Sequence, residues 1–400
     1  MSRNANGEGS IYKWIRDGKQ SGYKGAISYT DDNGATKRYV AYGRTRADVK
    51  DKLEKARKRA TAGAPVKDAK QTVGEWMAHW RDTGLAASDR KESTRSMYAT
   101  LSRCHIEPAP FGAITLDKLK PSNIDKLILS MRAKTKTAAA TEAEPNPQPL
   151  RALSDSTIRQ VYTVLRAGLD GAVRDKLIAT NPAAAVSRPG VQRIEAKHLN
   201  AAGVAAVLKA AALSRYYVAL VLIVATGLRR GEALGLRWDG DVNLDEGWLK
   251  VRQTLGRVNR RLDATEPKTE RSRRTVPLSP AVVALLRRHK TAQTAERLKA
   301  GNQWTDTGLV FTTEFGTAVD PRNLLRVVEA AAKQAGYSGV GVHTLRHSAA
   351  VGWLESGTHI KAVADLLGHS SIAITGDVYG HTSDDTARAA VDGWSSALGL

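Results

Sequence analysis

Four hundred residues leave room for two or three domains, each large enough to bury a core of its own. Lysine and arginine outnumber aspartate and glutamate by 61 to 40, a net charge of +21 that points to a polyanionic partner, nucleic acid first. Cys104 is the only cysteine, which excludes an intrachain disulfide framework and a cysteine metal cluster, and the longest apolar run, 216–225, is half of the about 20 residues a membrane-spanning helix needs.

The polar, Gly-rich start carries no hydrophobic signal core, so the expected location is a reducing bacterial cytoplasm, at the nucleoid and away from membranes. Residues 1–66 read as a small basic unit with a net charge of +8. Aromatic and β-branched residues predict strands over 10–16, 22–30 and 37–42, with Asp17-Gly18 and Asp31-Asp32-Asn33-Gly34 as turns between them. A helix is expected over 45–59, opened by Thr45. A short sheet bearing basic and aromatic side chains suits a DNA groove, a small αβ protein-interaction module being the other reading.

A linker at 63–70 gives way to helical spacing. Val73, Trp76, Met77 and Trp80 recur at intervals of three and four, as on a core-facing helix. Further helices are expected over 93–105, 120–131 and 154–175, the last capped by Ser154. The stretch 134–149, rich in Ala, Thr and Pro, lacks the large apolar residues needed to pack and reads as a mobile loop. From 198 onward one larger unit is expected. It has helices over 200–212, 216–225, 232–238, 279–298, 320–335, 344–356, 360–367 and 383–397, and strands at 248–254 and 273–278. The fold class is therefore α+β and multidomain: a three-stranded sheet plus helix over 1–66, an all-helical domain over 67–187, and a mainly helical domain with a small antiparallel sheet over 188–400.

Chemistry concentrates in the third unit. A phosphodiester under attack by an oxygen nucleophile gathers negative charge, which guanidinium groups meet with paired N–H donors and a permanent charge. Arg229 and Arg346 are the candidate pair. His343 stands three residues before Arg346, so the two share a face of a helical turn. His369 follows Gly368 at a helix end, and Tyr379 lies ten residues on. A phenol with a pKa of about 10 becomes a nucleophile only where a neighbour takes its proton or cations stabilise the phenolate. Lys268, in the turn Glu266-Pro267-Lys268-Thr269, is placed to protonate a leaving alcohol. Arg271, Arg273 and Arg274 read as phosphate-gripping or solvated. Each residue has a structural reading when taken alone: a satisfied histidine, a basic pair at a helix start, a core tyrosine. His347, four residues after His343, imitates a zinc-ligand pair but has no third ligand at a matching spacing. No metal or other cofactor is expected.

Taken in order, Thr226-Gly227-Leu228-Arg229-Arg230-Gly231-Glu232, Pro267-Lys268-Thr269, His343-Thr344-Leu345-Arg346, Leu367-Gly368-His369 and Thr375-Gly376-Asp377-Val378-Tyr379 resemble the boxes of the tyrosine recombinase (phage integrase) family over about 198–385. The resemblance implies that Tyr379 attacks a DNA phosphate to give a 3′-phosphotyrosyl enzyme. Arg229, Arg346, His343 and His369 would stabilise the transition state, Lys268 would protonate the leaving 5′-oxygen, and Glu232 would support Arg229. It also implies a core-binding helical domain at 67–187 and an arm-type DNA-binding domain at 1–66, with Tyr12, Trp14, Tyr23 and Tyr29 on its sheet as candidate DNA-binding residues. The implied partners are double-stranded attachment-site DNA, a homotetramer on DNA, an excisionase and a DNA-bending host factor. A type IB topoisomerase, which relaxes rather than exchanges strands, and a DNA-binding regulator without activity are the rival readings. The arm-like N-terminus disfavours the first and the intact set of charged and nucleophilic residues disfavours the second.

Overall fold

The computed structural model of the chain describes residues 10–16, 19–30, 36–61, 71–137, 148–192, 197–258, 261–266, 273–369, 371–379 and 392. The chain divides into two units, Met1–Arg193 and Ile194–Leu400, and the first of them holds two separate apolar clusters.

In the first cluster, strands β1 (Ile11–Arg16), β2 (Lys19–Thr30) and β3 (Thr36–Gly43) form an antiparallel sheet in the order β1-β2-β3, followed by helix α1 (Arg46–Thr61). Val49, Leu53 and Ala56 of α1 bury against Ile27 and Ala41. Gly25 permits that approach, because a Cβ there would stand 2.7 Å from Leu53 Cδ1. Side chains alternate along a strand, so β2 sends Tyr23 and Tyr29 to the helix side, where both pack on the core. The register Tyr12–Lys24–Tyr42 lies on the other face.

The second cluster is helical: α2 (Val73–Trp80), α3 (Glu92–His105), α4 (Pro121–Ala133) and α5 (Asp155–Arg174). The expected stripe of Val73, Trp76, Met77 and Trp80 is buried. Thr72 and Glu75 form a reciprocal capping box that starts α2, and Ser154 caps α5 as expected. Trp76 Nε1 donates to the Gly168 carbonyl at 2.8 Å, and a Cβ at Gly168 would meet Met77 Sδ at 2.3 Å, so α2 and α5 pack closely there. The 134–149 stretch leaves the helices through a two-residue antiparallel pair, β4 (Thr135–Lys136) with β5 (Leu150–Arg151), which sequence patterning did not signal. Residues 138–147 lie outside those described.

The second unit is built around α7 (Tyr217–Thr226), whose run of ten residues is apolar nearly throughout and buries Ala219, Leu220, Leu222, Ile223 and Thr226. It follows α6 (Ala201–Ala210), which Asn200 caps by accepting from Gly203 N at 2.9 Å. Leu220, Leu222 and Ile223 are fully buried, each contributing about 1.5–3 kcal/mol through burial. After α7 come α8 (Arg230–Leu234), α9 (Trp238–Asp241), β6 (Val242–Asn243) and β7 (Trp248–Lys250). An antiparallel hairpin, β8 (Thr254–Val258) with β9 (Arg261–Thr265), then leads toward β10 (Thr275–Pro277), which pairs with β7. Helices α10 (Pro280–Ala300), α11 (Pro321–Gln334), α12 (Val342–Glu355), α13 (Ile360–Leu367) and α14 (Ile372–Tyr379) complete the described part. The helix expected over 232–238 is divided at Gly235, and the strand expected over 248–254 ends at Lys250, the rest turning into the hairpin. The helix expected over 383–397 lies outside the described residues.

Candidate active site

Two helix ends and one carboxylate organise the site. Helix α7 ends in Gly227 and α13 ends in Gly368, both in the left-handed conformation with φ of +61° and +63°, a position that favours glycine. The ends adjoin, since a Cβ on Gly227 would lie 2.8 Å from Leu367 Cδ2. Their free carbonyls point at one guanidinium: Arg346 Nη1 donates to Gly227 O and Arg346 Nη2 donates to Leu367 O at 2.8 Å. Carbonyls at a helix C-terminus carry partial negative charge, so this is where a buried cation is held most favourably. Arg346 is accordingly 3 % exposed.

Glu232, in the first turn of α8, is the second organiser. Its Oε1 accepts from Arg229 Nη1 at 2.7 Å, and its Oε2 accepts from Arg229 N at 2.9 Å and from Arg274 Nη2 at 2.9 Å. Arg346 Nη1 lies 4.0 Å from Oε2. Burial alone would push this carboxyl up, but Arg274, by charge and hydrogen bond, and then Arg229 hold it down at about 2. One carboxylate therefore serves three guanidinium groups, and the centre keeps an excess of positive charge for an incoming anion.

Arg274 departs from the expected DNA-gripping role. It is 8 % exposed, with Nε donating to the Leu366 carbonyl at 2.5 Å in addition to the Glu232 bond. Gly368 fits against it, since a Cβ there would meet Arg274 Nη1 at 2.9 Å. The reason is strand alternation: Arg274 stands two residues before the buried Val276 and shares its inward face. That signal was present in the sequence. Arg273, on the opposite side, is exposed and pairs with Glu266 at 2.8 Å. Lys268 and Arg271 lie outside the described residues.

The imidazoles complete the site. His369 Nε2 faces Arg346 Nη2 at 3.2 Å and its Nδ1 faces Thr375 Oγ1 at 2.9 Å. Burial first, then Arg346 and Arg229, pushes His369 down to about 4. His347 is likewise pushed down to about 4 by burial and by His343. His343 is lowered by burial, then by Arg346 and Arg230. All three shifts favour the neutral imidazole. Tyr379 closes α14, the helix that also carries Thr375. A cleft of about 720 Å³ opens beside Arg229, Arg230 and His343, walled by β8 and the start of α11. Arg257 and Arg322 also border it, and Arg257 is ion-paired with Asp320. Arg257 and Arg322 were not singled out by sequence reasoning, as isolated arginines carry no motif; Arg230 was read only as half of a basic pair at a helix start, and Thr375 only as the first residue of the box that ends at Tyr379.

On the N-terminal sheet the expected aromatic set divides. Tyr12 and Trp14 lie on the face away from α1, whereas Tyr23 and Tyr29 do not, being part of the core packing. Tyr42 shares the open face with Tyr12 and Trp14. It packs edge-on against Trp14 with ring centroids 4.9 Å apart, and Lys24 Nζ lies over its ring at 5.4 Å.

The phage integrase family matches residues 195–386. A tyrosine recombinase XerC-like protein of Caldanaerobacter subterraneus subsp. tengcongensis is 28% identical over 398 residues, spanning 95% of this chain and 97% of its own. An integrase of Saccharopolyspora erythraea is 26% identical over 445 residues, spanning 98% and 97%. In fold, the chain is similar to a lambda integrase tetramer bound to a Holliday junction, with a TM-score of 0.56 at 18% identity over 96% of this chain and 99% of that one.

Proposed function

We propose, from the premise that this chain belongs to the tyrosine recombinase (phage integrase) family, a residue-level account of how it carries out site-specific DNA recombination. The enzyme is a recombinase that cleaves and rejoins DNA strands. The observation that carries the account is the Glu232 centre: three guanidinium groups on one carboxylate, with His369 joining Arg346 to the helix that ends at Tyr379.

The scissile phosphate of double-stranded attachment-site DNA enters beside Arg229 and Arg346. The Tyr379 phenol oxygen attacks phosphorus as the bond to the 5′-oxygen breaks, leaving a 3′-phosphotyrosyl enzyme and a free 5′-hydroxyl. Charge that builds on the non-bridging oxygens is met by Arg229 and Arg346, both held in place before the DNA arrives. His343, neutral and at the mouth of the cleft, accepts the phenol proton, and Lys268 gives a proton to the leaving oxygen. The 5′-hydroxyl of a partner duplex then reverses the step on a new strand, so the bond energy is kept. Arg230, Arg257 and Arg322 line the cleft and suit the phosphates that flank the scissile one. Glu232 orients Arg229 and touches no reacting atom.

Two rounds of exchange through a Holliday junction need four protomers, so the working form is a homotetramer on DNA that integrates and excises a mobile element. Residues 1–66 bind arm-type DNA through the open sheet face of Tyr12, Trp14, Lys24 and Tyr42. Residues 67–187 grip the core site, and 188–400 hold the chemistry. An excisionase and a DNA-bending host factor set direction and geometry. Among the described residues no helix is long and apolar enough to cross a membrane, and the work is done at bacterial DNA in the cytoplasm. A core-site duplex nicked next to the scissile phosphate tests the account, because the short fragment diffuses away and traps the adduct. Wild type is expected to become covalently attached and Tyr379→Phe to bind equally well without attachment. Relaxation of supercoiled DNA with no junction or recombinant product would favour topoisomerase activity instead.

A further inference from the structure

His369 is bonded on both ring nitrogens, and the identity of its partners determines where its proton sits. Arg346 Nη2 can only donate, so Nε2, 3.2 Å away, accepts. The neutral ring then carries its hydrogen on Nδ1 and gives it to Thr375 Oγ1 at 2.9 Å. Thr375 is fully buried in α14, one turn before Tyr379. A buried hydroxyl in this place is held in one surrounding, whereas a threonine on the outer face of α14 would offer no fixed partner.

We propose that Thr375 is a positioning residue of the recombination reaction, which holds His369 as the Nδ1–H tautomer and ties the α13–α14 segment to the helix bearing the nucleophile. The proposal rests on the active-site reading above. Its consequence is a division of labour on the ring. Nδ1–H stays with Thr375 throughout, and Nε2 faces the phosphate site with a lone pair. When a phosphate oxygen takes the Arg346 N–H, Nε2 is released and donates to the phosphate only after gaining a proton from bulk water. The groups facing His369, namely Arg346, Arg229, Arg274 and His347, all oppose that proton in the free enzyme. The arriving phosphate supplies the opposing charge, and Thr375 keeps the ring from turning over while the proton is taken up.

The test compares Thr375→Val, which keeps shape and loses the acceptor, with Thr375→Ser, which keeps the acceptor. Single-turnover cleavage of the nicked core-site substrate, DNA affinity and the ring nitrogen signals of ¹⁵N-histidine-labelled full-length protein are read together. Thr375→Val is expected to cleave about tenfold more slowly, the effect of one lost hydrogen bond, with DNA affinity unchanged. Its His369 should shift from the Nδ1–H form to a mixture of tautomers, and Thr375→Ser should restore both rate and tautomer. Wild-type cleavage by Thr375→Val, or a Thr375→Ser variant as slow as valine, would overturn the proposal. If Thr375→Val does not fold, the wild-type spectrum decides, since an Nε2–H tautomer there contradicts it. Failure of the broader reading looks different, because then wild type itself forms no adduct at Tyr379.

Discussion

Glu232 is the residue on which the charge balance of the site depends. It is 2 % exposed and neutralises guanidinium groups from three separate parts of the chain: Arg229, Arg274 and Arg346. Removing one partner of a buried ion pair strands the others, and Glu232→Gln is expected to destabilise the second unit by about 3–5 kcal/mol, measured by urea denaturation. The pH dependence has a definite sign. The folded carboxyl is held at about 2 against an ordinary value of 4.5, so its contribution is full above pH 4.5 and lost as pH falls toward 2. That contribution is on the order of 3 kcal/mol. Subtracting the Glu232→Gln profile from wild type should isolate this segment, and parallel profiles over that range would count against the assignment. At this scale the sequence was readable wherever chemistry restricts the residue type. Arg229, Glu232, His343, Arg346 and His369 stand together because each performs a job few side chains can do. Thr375 stood in the box that ends at Tyr379, but its role was not readable, since a hydroxyl matters only through the partner that folding brings to it.

Elements position these residues through their ends more than through their middles. The C-terminal carbonyls of α7 and α13 hold Arg346 and Arg274, and both helices stop in the left-handed conformation that glycine adopts freely. Gly368→Ala meets two obstacles, the φ of +63° and Arg274 Nη1 at 2.9 Å. The backbone alone costs about 1–2 kcal/mol, so the melting temperature should drop by a few degrees. Cleavage should fall more than DNA binding does, because His369 follows directly on the cap. Gly352→Ala is the control, as a Cβ there meets nothing within 4 Å, and it should be neutral or slightly stabilising. Equal melting temperatures and cleavage rates for the two variants would remove the cap from the account. Helices with clear periodicity or caps, such as α2 and α5, were legible in outline. The β8–β9 hairpin was not: Thr254–Val258 and Arg261–Thr265 are short and mostly polar or small, and their pairing is fixed by neighbours rather than by an apolar alternation. The faces of Tyr23 and Tyr29 were not legible for a similar reason, since composition identifies a strand but register determines its sides.

For the molecule as a whole, charge is the dominant property. A net +21 makes DNA binding strongly dependent on salt. With six to ten phosphate contacts, affinity should fall by roughly a thousandfold or more between about 50 and 200 mM salt. A chain lacking residues 1–66 should keep core-site cleavage, lose arm-type affinity and show a shallower salt slope. An unchanged slope would place the arm contacts elsewhere. The central claim, that one phenol carries the broken strand, is tested most directly by tandem mass spectrometry of the adduct trapped on the nicked substrate in the presence of a chelator. The account predicts a 3′-nucleotide on Tyr379 at undiminished yield. A nucleotide on any other side chain, or an adduct that forms only when a divalent ion is restored, would contradict it.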